Sequence, residues 1–276
     1  MPLIVYELPN WALGGALMLA WVTIGLGAQA LFPRRWRERA TETDRHVALA
    51  SLGVIATINS LLLAFSAVSV WDSFSAAEQA VDREATAMAQ LARSLAVYGT
   101  PESRLARERL RGYGRSVIGK EWVAMQQDQA SLPTLDAFDD LYRTLGDLHP
   151  EAASDGALLA QMWTQANDLL TQRRARLVAA EGKVPATLWA VVLVSSLLTL
   201  APVAVLSVTA CTRGALVVLA LALGLVFHVV AAMDRPFLGA ERVTAAPIEN
   251  ALANMQRWDT RWMADAAPRP STPRLR

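Results

Sequence analysis

The side chains best suited to handling an ion lie in an otherwise apolar stretch, residues 48–71, and just beyond it. At 100° per residue, six positions fall within about an 80° arc of a helix. They are one amide, three hydroxyls and two aliphatic side chains: Ile55, Asn59, Leu62, Ser66, Ser69 and Ser73. Hydroxyl and amide oxygens can replace part of an ion's hydration shell, and aliphatic side chains can narrow and dewet a path. The spacing predicts either a path-lining face or one that hydrogen-bonds to neighbouring helices.

A second arc of the same stretch is wholly apolar and would pack against apolar helices or lipid. Its residues are Val54, Ile58, Leu61, Phe65 and Val68. His228 is the other polar residue of interest, because it lies inside the uncharged stretch 214–233. It could bond another helix or titrate in a water-filled path.

The spacings that enzymes and metal sites need are missing. The three histidines are far apart and there is one cysteine, so no metal-ligand pattern occurs. No glycine-rich phosphate loop and no nucleophile elbow is present. Asp82, Glu84 and Glu121 would support a membrane enzyme only if they converged in one cleft. The sequence therefore predicts a protein that is not an enzyme and holds no cofactor.

The distribution of charge shows which elements must position these residues. All 51 charged residues, 26 Lys and Arg with 25 Asp and Glu, lie outside four uncharged stretches: 11–32, 48–71, 187–209 and 214–233. A helix crosses about 30 Å of hydrocarbon with about 20 apolar residues, so each stretch can be a membrane span. This pattern excludes a soluble globular enzyme, and a net charge of +1 excludes a strongly basic nucleic-acid binder. We expect an all-α protein with four spans.

Residues 72–186 are predicted to form a helical bundle outside the membrane, inserted between spans two and three. The helical seam Val81, Ala85, Met88, Ala92 and Leu95 follows span two without Gly or Pro. Span two should therefore continue out of the membrane as one helix, ending near Gly99, and span three should be extended similarly. The predicted division is 1–71 (spans one and two), 72–186 (bundle), 187–233 (spans three and four) and 234–276, a C-terminal segment with a disordered end from residue 266.

The orientation in the membrane follows from the short loops. The loop after span one carries five arginines, and the turn between spans three and four adds Arg213. The positive-inside rule places both in the cytoplasm, with the termini and residues 72–186 on the outer side. Arg173, Arg174 and Arg176, before span three, point the other way.

Two motifs together resemble the bestrophin-like bacterial membrane proteins. The first contains Trp71, Asp72, Phe74 and Glu84, in the pattern W-D-x-F followed by V-x-x-E-A. The second directly follows span four and reads D-R-P-F-x-G: Asp234, Arg235, Pro236, Phe237 and Gly239. The resemblance covers about residues 10–255.

The resemblance implies kinship to bestrophins, which are pentameric anion channels whose second transmembrane helix lines a narrow apolar neck. It thus implies a homo-oligomer, a pentamer by analogy, in the cell membrane, with small ions as its partners. It also implies cytoplasmic termini, opposite to the charge rule, so both orientations stay open. The functional hypotheses are an ion channel, with small anions favoured, and a non-conducting scaffold or sensor whose bundle binds a partner.

Overall fold

The protein is helical throughout the residues that the structure describes. The structure, a computed structural model, describes residues 9–127, 129–150, 153–182 and 184–266, with all side chains except those at 36, 204, 205 and 260–266. Within these ranges there are helices and loops but no strand, and four helical segments are long and apolar enough to cross a membrane. The all-α class and the four candidate spans are confirmed. The insertion of a bundle between spans two and three stays a prediction.

The chain divides into two compact units, and the apolar unit comprises residues 1–76 and 182–243. It contains α1 (Asn10–Leu31), α2 (Arg34–Arg39), the first part of α3 (Glu42–Tyr98), α8 (Ala186–Leu200) and α9 (Ala210–Met233). Its core includes Trp21, Leu63, Val192, Leu216 and Phe227. The rings of Trp21 and Phe227 lie 4.9 Å apart, centroid to centroid.

Pro202 lies inside the uncharged stretch 187–209, where a proline is expected to interrupt the third span or kink it. In the structure α8 ends at Leu200, and a 3₁₀ turn, Ala201–Val205, follows it. Pro202 has no N–H for an α-helical hydrogen bond, which favours termination at this point. Thr209 then caps α9 by accepting a hydrogen bond from the Thr212 backbone N–H at 3.1 Å.

Helices α1 and α9 pack very closely because glycines lie at their contact. A Cβ atom on Gly224 would stand 2.6 Å from Met18 Cα and 3.0 Å from Met18 N. The backbone of α1 thus occupies the space that any larger side chain at residue 224 would need. Gly25 has a similar role, since a Cβ there would lie 3.2 Å from Leu216 Cδ1. Small residues allow this close approach, which membrane helices use in place of a hydrophobic driving force.

The polar unit comprises residues 77–181 and 244–276. It contains the second part of α3, α4 (Pro101–Ser116), a π-helical turn (Val117–Glu121), α5 (Trp122–Met125), α6 (Leu132–Gly146), α7 (Ala153–Glu181) and α10 (Ala246–Ala266). The predicted seam from Val81 to Leu95 is confirmed, because all five of its residues are buried. The predicted helix end is also confirmed. Gly99 adopts φ +75°, and the Thr100 hydroxyl accepts a hydrogen bond from the Ser103 backbone N–H.

Helix α10 was not expected from the sequence. Its buried side chains Ile248, Ala251 and Met255 have helical spacing, but polar and charged residues are interspersed among its apolar ones. It packs on α4, where Asp259 pairs with Arg107 and Arg111. Residues 267–276 of the predicted disordered end lie outside the described residues.

Candidate ion path and a buried charge cluster

Asn59, the amide of the predicted path-lining arc, is only 2 % exposed within a single chain. Its Oδ1 accepts hydrogen bonds from Ser195 Oγ at 2.7 Å and Ser196 Oγ at 3.1 Å, both on α8. Ser66 is also buried and donates to the Leu62 carbonyl of its own helix at 2.8 Å. These two side chains therefore join or stabilise helices inside one chain. Of the two alternatives for this arc, the contacts of Asn59 are those of a face that hydrogen-bonds to a neighbouring helix.

The other four residues of the arc are more open. Ile55 and Leu62 are half-buried, and Ser69 and Ser73 are exposed. The residues of the neighbouring apolar arc are all exposed. Val54, Ile58, Leu61, Phe65 and Val68, named here the α3 stripe, are each between 55 % and 64 % exposed. A continuous apolar stripe of this kind requires lipid, a second copy of the chain or a dewetted path against it.

His228 packs against α1 instead of facing open space. A Cβ on Gly14 would stand 3.4 Å from Cγ of the His228 ring. The ring is half-buried, and its Nδ1 has no hydrogen-bond partner among the described residues. The structure thus shows close packing of the ring.

The D-R-P-F-x-G motif forms the turn after α9, which ends at Met233. Asp234 is buried, and its Oδ1 accepts a hydrogen bond from the Val184 backbone N–H at 3.0 Å, just before α8. Phe237 is 2 % exposed, and Gly239 has φ +85°, a backbone conformation that glycine adopts without strain. Through this hydrogen bond the motif connects the end of α9 to the residues just before α8. In the first motif, by contrast, Trp71 and Asp72 are exposed and Phe74 is half-buried.

The most concentrated chemistry was missed by sequence reasoning and lies in the polar unit. Arg176 Nε donates to Glu84 Oε2 at 2.5 Å, and its Nη2 donates to Glu121 Oε2 at 2.7 Å. Arg173 donates to the same Glu121 from Nη2 at 2.5 Å and from Nε at 3.2 Å. All four side chains are at least nine-tenths buried. We call them, with Tyr113, the charge cluster.

Tyr113 completes the charge cluster, since its hydroxyl donates to Glu84 Oε1 at 2.6 Å. Burial, then the negative charge of Glu84, raises the pKa of Tyr113 well above its ordinary value. Burial alone would lower the pKa of Arg176, but the charge and hydrogen bond of Glu84 outweigh this and raise the pKa. The cluster therefore holds two carboxylates and two guanidinium groups, all with charged partners.

The charge cluster bears on the enzyme hypothesis. Glu84 and Glu121 do converge, although 37 residues of chain separate them, but Asp82 is exposed and takes no part. Each carboxylate is tied to an arginine and buried, so neither has the free, cleft-facing position that a general acid or base requires. A signal was present in the sequence, because Arg173 falls on the otherwise apolar face of α7 with Met162, Ala166 and Leu169.

Tyr113→Phe tests this electrostatic environment through the pH dependence of stability. The folded-state pKa of Tyr113 lies above its ordinary value of 10.0, so the stability it contributes is present below pH 10 and is lost as the pH rises towards the folded-state pKa. We expect Tyr113→Phe to cost about 1–3 kcal/mol near neutral pH, because its partner Glu84 is charged. Above pH 10 the free energy of unfolding of the variant should fall less steeply with pH than that of the wild type. Urea unfolding across this range measures both effects, and parallel pH profiles would contradict the assignment. Tyr142→Phe, at a half-buried tyrosine of α6, is the matched control.

The comparisons with known proteins agree with this architecture. The model of the Bestrophin-like domain family matches residues 18–248. The chain belongs to the bestrophin-like family. A crystal structure of a bacterial bestrophin homologue from Klebsiella pneumoniae superposes with a TM-score of 0.66 at 16% identity, covering 88% of this chain and 98% of that one. A second crystal structure of that homologue gives a TM-score of 0.67 at 14% identity, covering 90% and 98%.

At these identities the likeness shows that the bestrophin-like chain has the fold of the bacterial homologue. No curated protein matches the sequence significantly. Family membership and four apolar helices together make this a membrane protein.

Proposed function

We propose that the bestrophin-like chain forms a homo-oligomeric channel for small ions, in which α3 surrounds the path. The α3 stripe carries the proposal. The opposite side of α3 is fixed to the rest of the apolar unit by Asn59, Leu63, Ser66 and Val70, which are all buried. The side that remains carries the α3 stripe along about four helical turns, and a continuous apolar stripe is the property of a constriction that gates by dewetting.

The hydroxyls beside the stripe favour a path over a lipid-facing position. Ser69 and Ser73 are exposed near its end, and polar groups within a membrane face protein or water. In an oligomer with the α3 stripes turned to the axis, these serines would meet water at the mouth of the path. Asn59 would then contribute indirectly, by holding α3 to α8.

Two features of the chain predict opposite ion selectivities for the channel. Kinship to bestrophins favours small anions, whereas a ring of the exposed Asp72 carboxylates would favour cations. We propose anions, because Asp72 lies beyond the apolar stripe, where water screens its charge. Reversal potentials under a potassium chloride gradient distinguish the two selectivities.

Flux measurements on the full chain in liposomes test the path. We expect chloride efflux above that of protein-free vesicles, and a severalfold increase with Phe65→Ala, because a smaller side chain widens and wets a dewetted constriction. The matched control is Val218→Ala on α9, at a side chain that is 68 % exposed, which should leave efflux unchanged. A folded oligomer without a central path and without flux of any ion would overturn the proposal.

A second candidate function, a non-conducting scaffold or sensor, is favoured by the length of α3. This single helix of 57 residues includes both the apolar stretch and the buried seam of the polar unit. Cross-linking of the full chain in its native membrane, together with absence of flux, would support it. Measured conductance without any cross-linked partner would reject it.

A further inference from the structure

An arginine-lined cavity of about 520 Å³ lies in the apolar unit, at the end of α1. Arg34 and Arg37 of α2 and Arg213 of α9 line it, together with Gln29. Arg37 Nη2 donates to the Gln29 carbonyl at 2.9 Å and the Phe32 carbonyl at 2.8 Å. The guanidinium therefore covers the carbonyl end of α1 and offsets the partial negative charge there, which would otherwise repel an anion.

Two buried N–H donors in side chains that line this cavity have no acceptor in the described part of the chain. Gln29 is 4 % exposed, and neither its Nε2 nor Arg37 Nε has a hydrogen-bond partner among the described residues. A buried donor without an acceptor costs about 1–3 kcal/mol, more when it belongs to a charged group. The two donors belong to side chains of the same cavity, so one acceptor-rich group inside it could satisfy both.

The charge of the cavity is uncompensated. Its lining contains three arginines and no carboxylate, and none of the three forms an ion pair within the described part of the chain. Arg213 lies in the first turn of α9, where the helix dipole disfavours a positive charge. Thr209 and Thr212 already cap that helix, so capping does not explain the arginine.

We propose that this cavity binds a phosphate-bearing anion, with its oxygens against the three arginines and the Gln29 amide. Arginine is suited to this role because its fork of N–H donors matches phosphate oxygens. Leu26 and Val208 form an apolar wall beside the arginines, and the cavity lies where an apolar span ends. Basic pockets at this depth accept the head groups of anionic lipids. The occupant is thus the phosphate of an anionic lipid or a free phosphate.

Thermal unfolding of the full chain in detergent tests the site and distinguishes these sources. The probes are phosphatidylglycerol, phosphatidylcholine and inorganic phosphate, each titrated separately. Phosphatidylglycerol should raise the unfolding temperature of the wild type, because a ligand that binds only the folded state stabilises it. Each of Arg34→Gln and Arg213→Gln should weaken the apparent affinity about tenfold, since a charge-assisted hydrogen bond is lost. Gln29→Leu should weaken it without changing the net charge.

Arg35→Gln is the matched control, because Arg35 is exposed in the same helix and does not line the cavity. Stabilisation by phosphatidylglycerol alone, lost in the cavity variants and kept in the control, supports a lipid phosphate. The same dependence with inorganic phosphate supports a free anion. The proposal is overturned if neither phosphate probe stabilises the wild type, or if Arg35→Gln weakens binding as much as Arg213→Gln. These measurements do not depend on ion conduction.

Discussion

Arg176→Met should lower the free energy of unfolding of the polar unit by about 3–5 kcal/mol, the usual cost of removing one partner from a buried ion pair. Arg176 is fully buried and is the residue that joins Glu84 to Glu121. Without it, Glu84 keeps the hydrogen bond from the Tyr113 hydroxyl but loses its charged partner, so a carboxylate charge in the interior is left without compensation. Urea unfolding of the purified protein, followed by circular dichroism, measures the change.

Arg174→Met is the control for this prediction. Arg174 lies on the same helix but is exposed, so the substitution should change stability by no more than about 0.5 kcal/mol. The double variant Glu84→Leu with Arg176→Met should recover part of the loss, since it removes a charge of each sign. Equal stabilities for Arg176→Met and Arg174→Met would show that the charge cluster does not hold the polar unit together.

Gly224→Val should destabilise the apolar unit by about 1–3 kcal/mol or more, because overpacking of this size forces the backbone to move. The new Cβ would approach the backbone of Met18 to 2.6 Å, and a helix backbone cannot rotate away as a side chain can. The α1–α9 contact must therefore open. We expect a lower thermal unfolding temperature in detergent and a lower yield of folded protein.

Gly214→Ala provides the comparison within the same helix. Apart from its chain neighbours and the backbone of its own helix, no atom of the described residues lies within 4 Å of a Cβ at this position, and alanine favours a helix over glycine by about 1 kcal/mol. This variant should be as stable as the wild type or slightly more stable. If Gly224→Val behaved in the same way, the close packing of α1 on α9 would be refuted.

Periodicity made part of the fold predictable. The four uncharged stretches and the seam from Val81 to Leu95 are properties of consecutive residues, and the structure confirms both. Helix α10 was missed because polar and charged residues are interspersed among its apolar ones and its burial depends on the α4 surface. Pro202 indicates an interruption of span three, but apolar composition continues past it, so only the structure shows that α8 ends at Leu200.

For the candidate site, residue types could be predicted from the sequence but hydrogen-bond partners could not. The sequence pattern of the arc through Asn59 is the same whether its polar atoms line a path or form hydrogen bonds with α8. The distances to Ser195 and Ser196 show the bonds within the chain. Glu84, Glu121 and Arg176 have no regular spacing along the chain, so nothing local indicates that they meet, although Arg173 has the spacing of a buried face of α7.

By itself the sequence determined that this chain is helical, apolar in four segments and related to the bestrophin-like proteins. Those properties depend on hydropathy and on the spacing of residues that are near each other in the chain, so they can be determined without knowing which distant residues come into contact. Tertiary structure alone decided that Glu84 and Glu121 share Arg176, and that Arg34, Arg37 and Arg213 surround one cavity. Such groupings follow from how distant helices pack, because the stability of a buried charge depends on the partner brought to it in space.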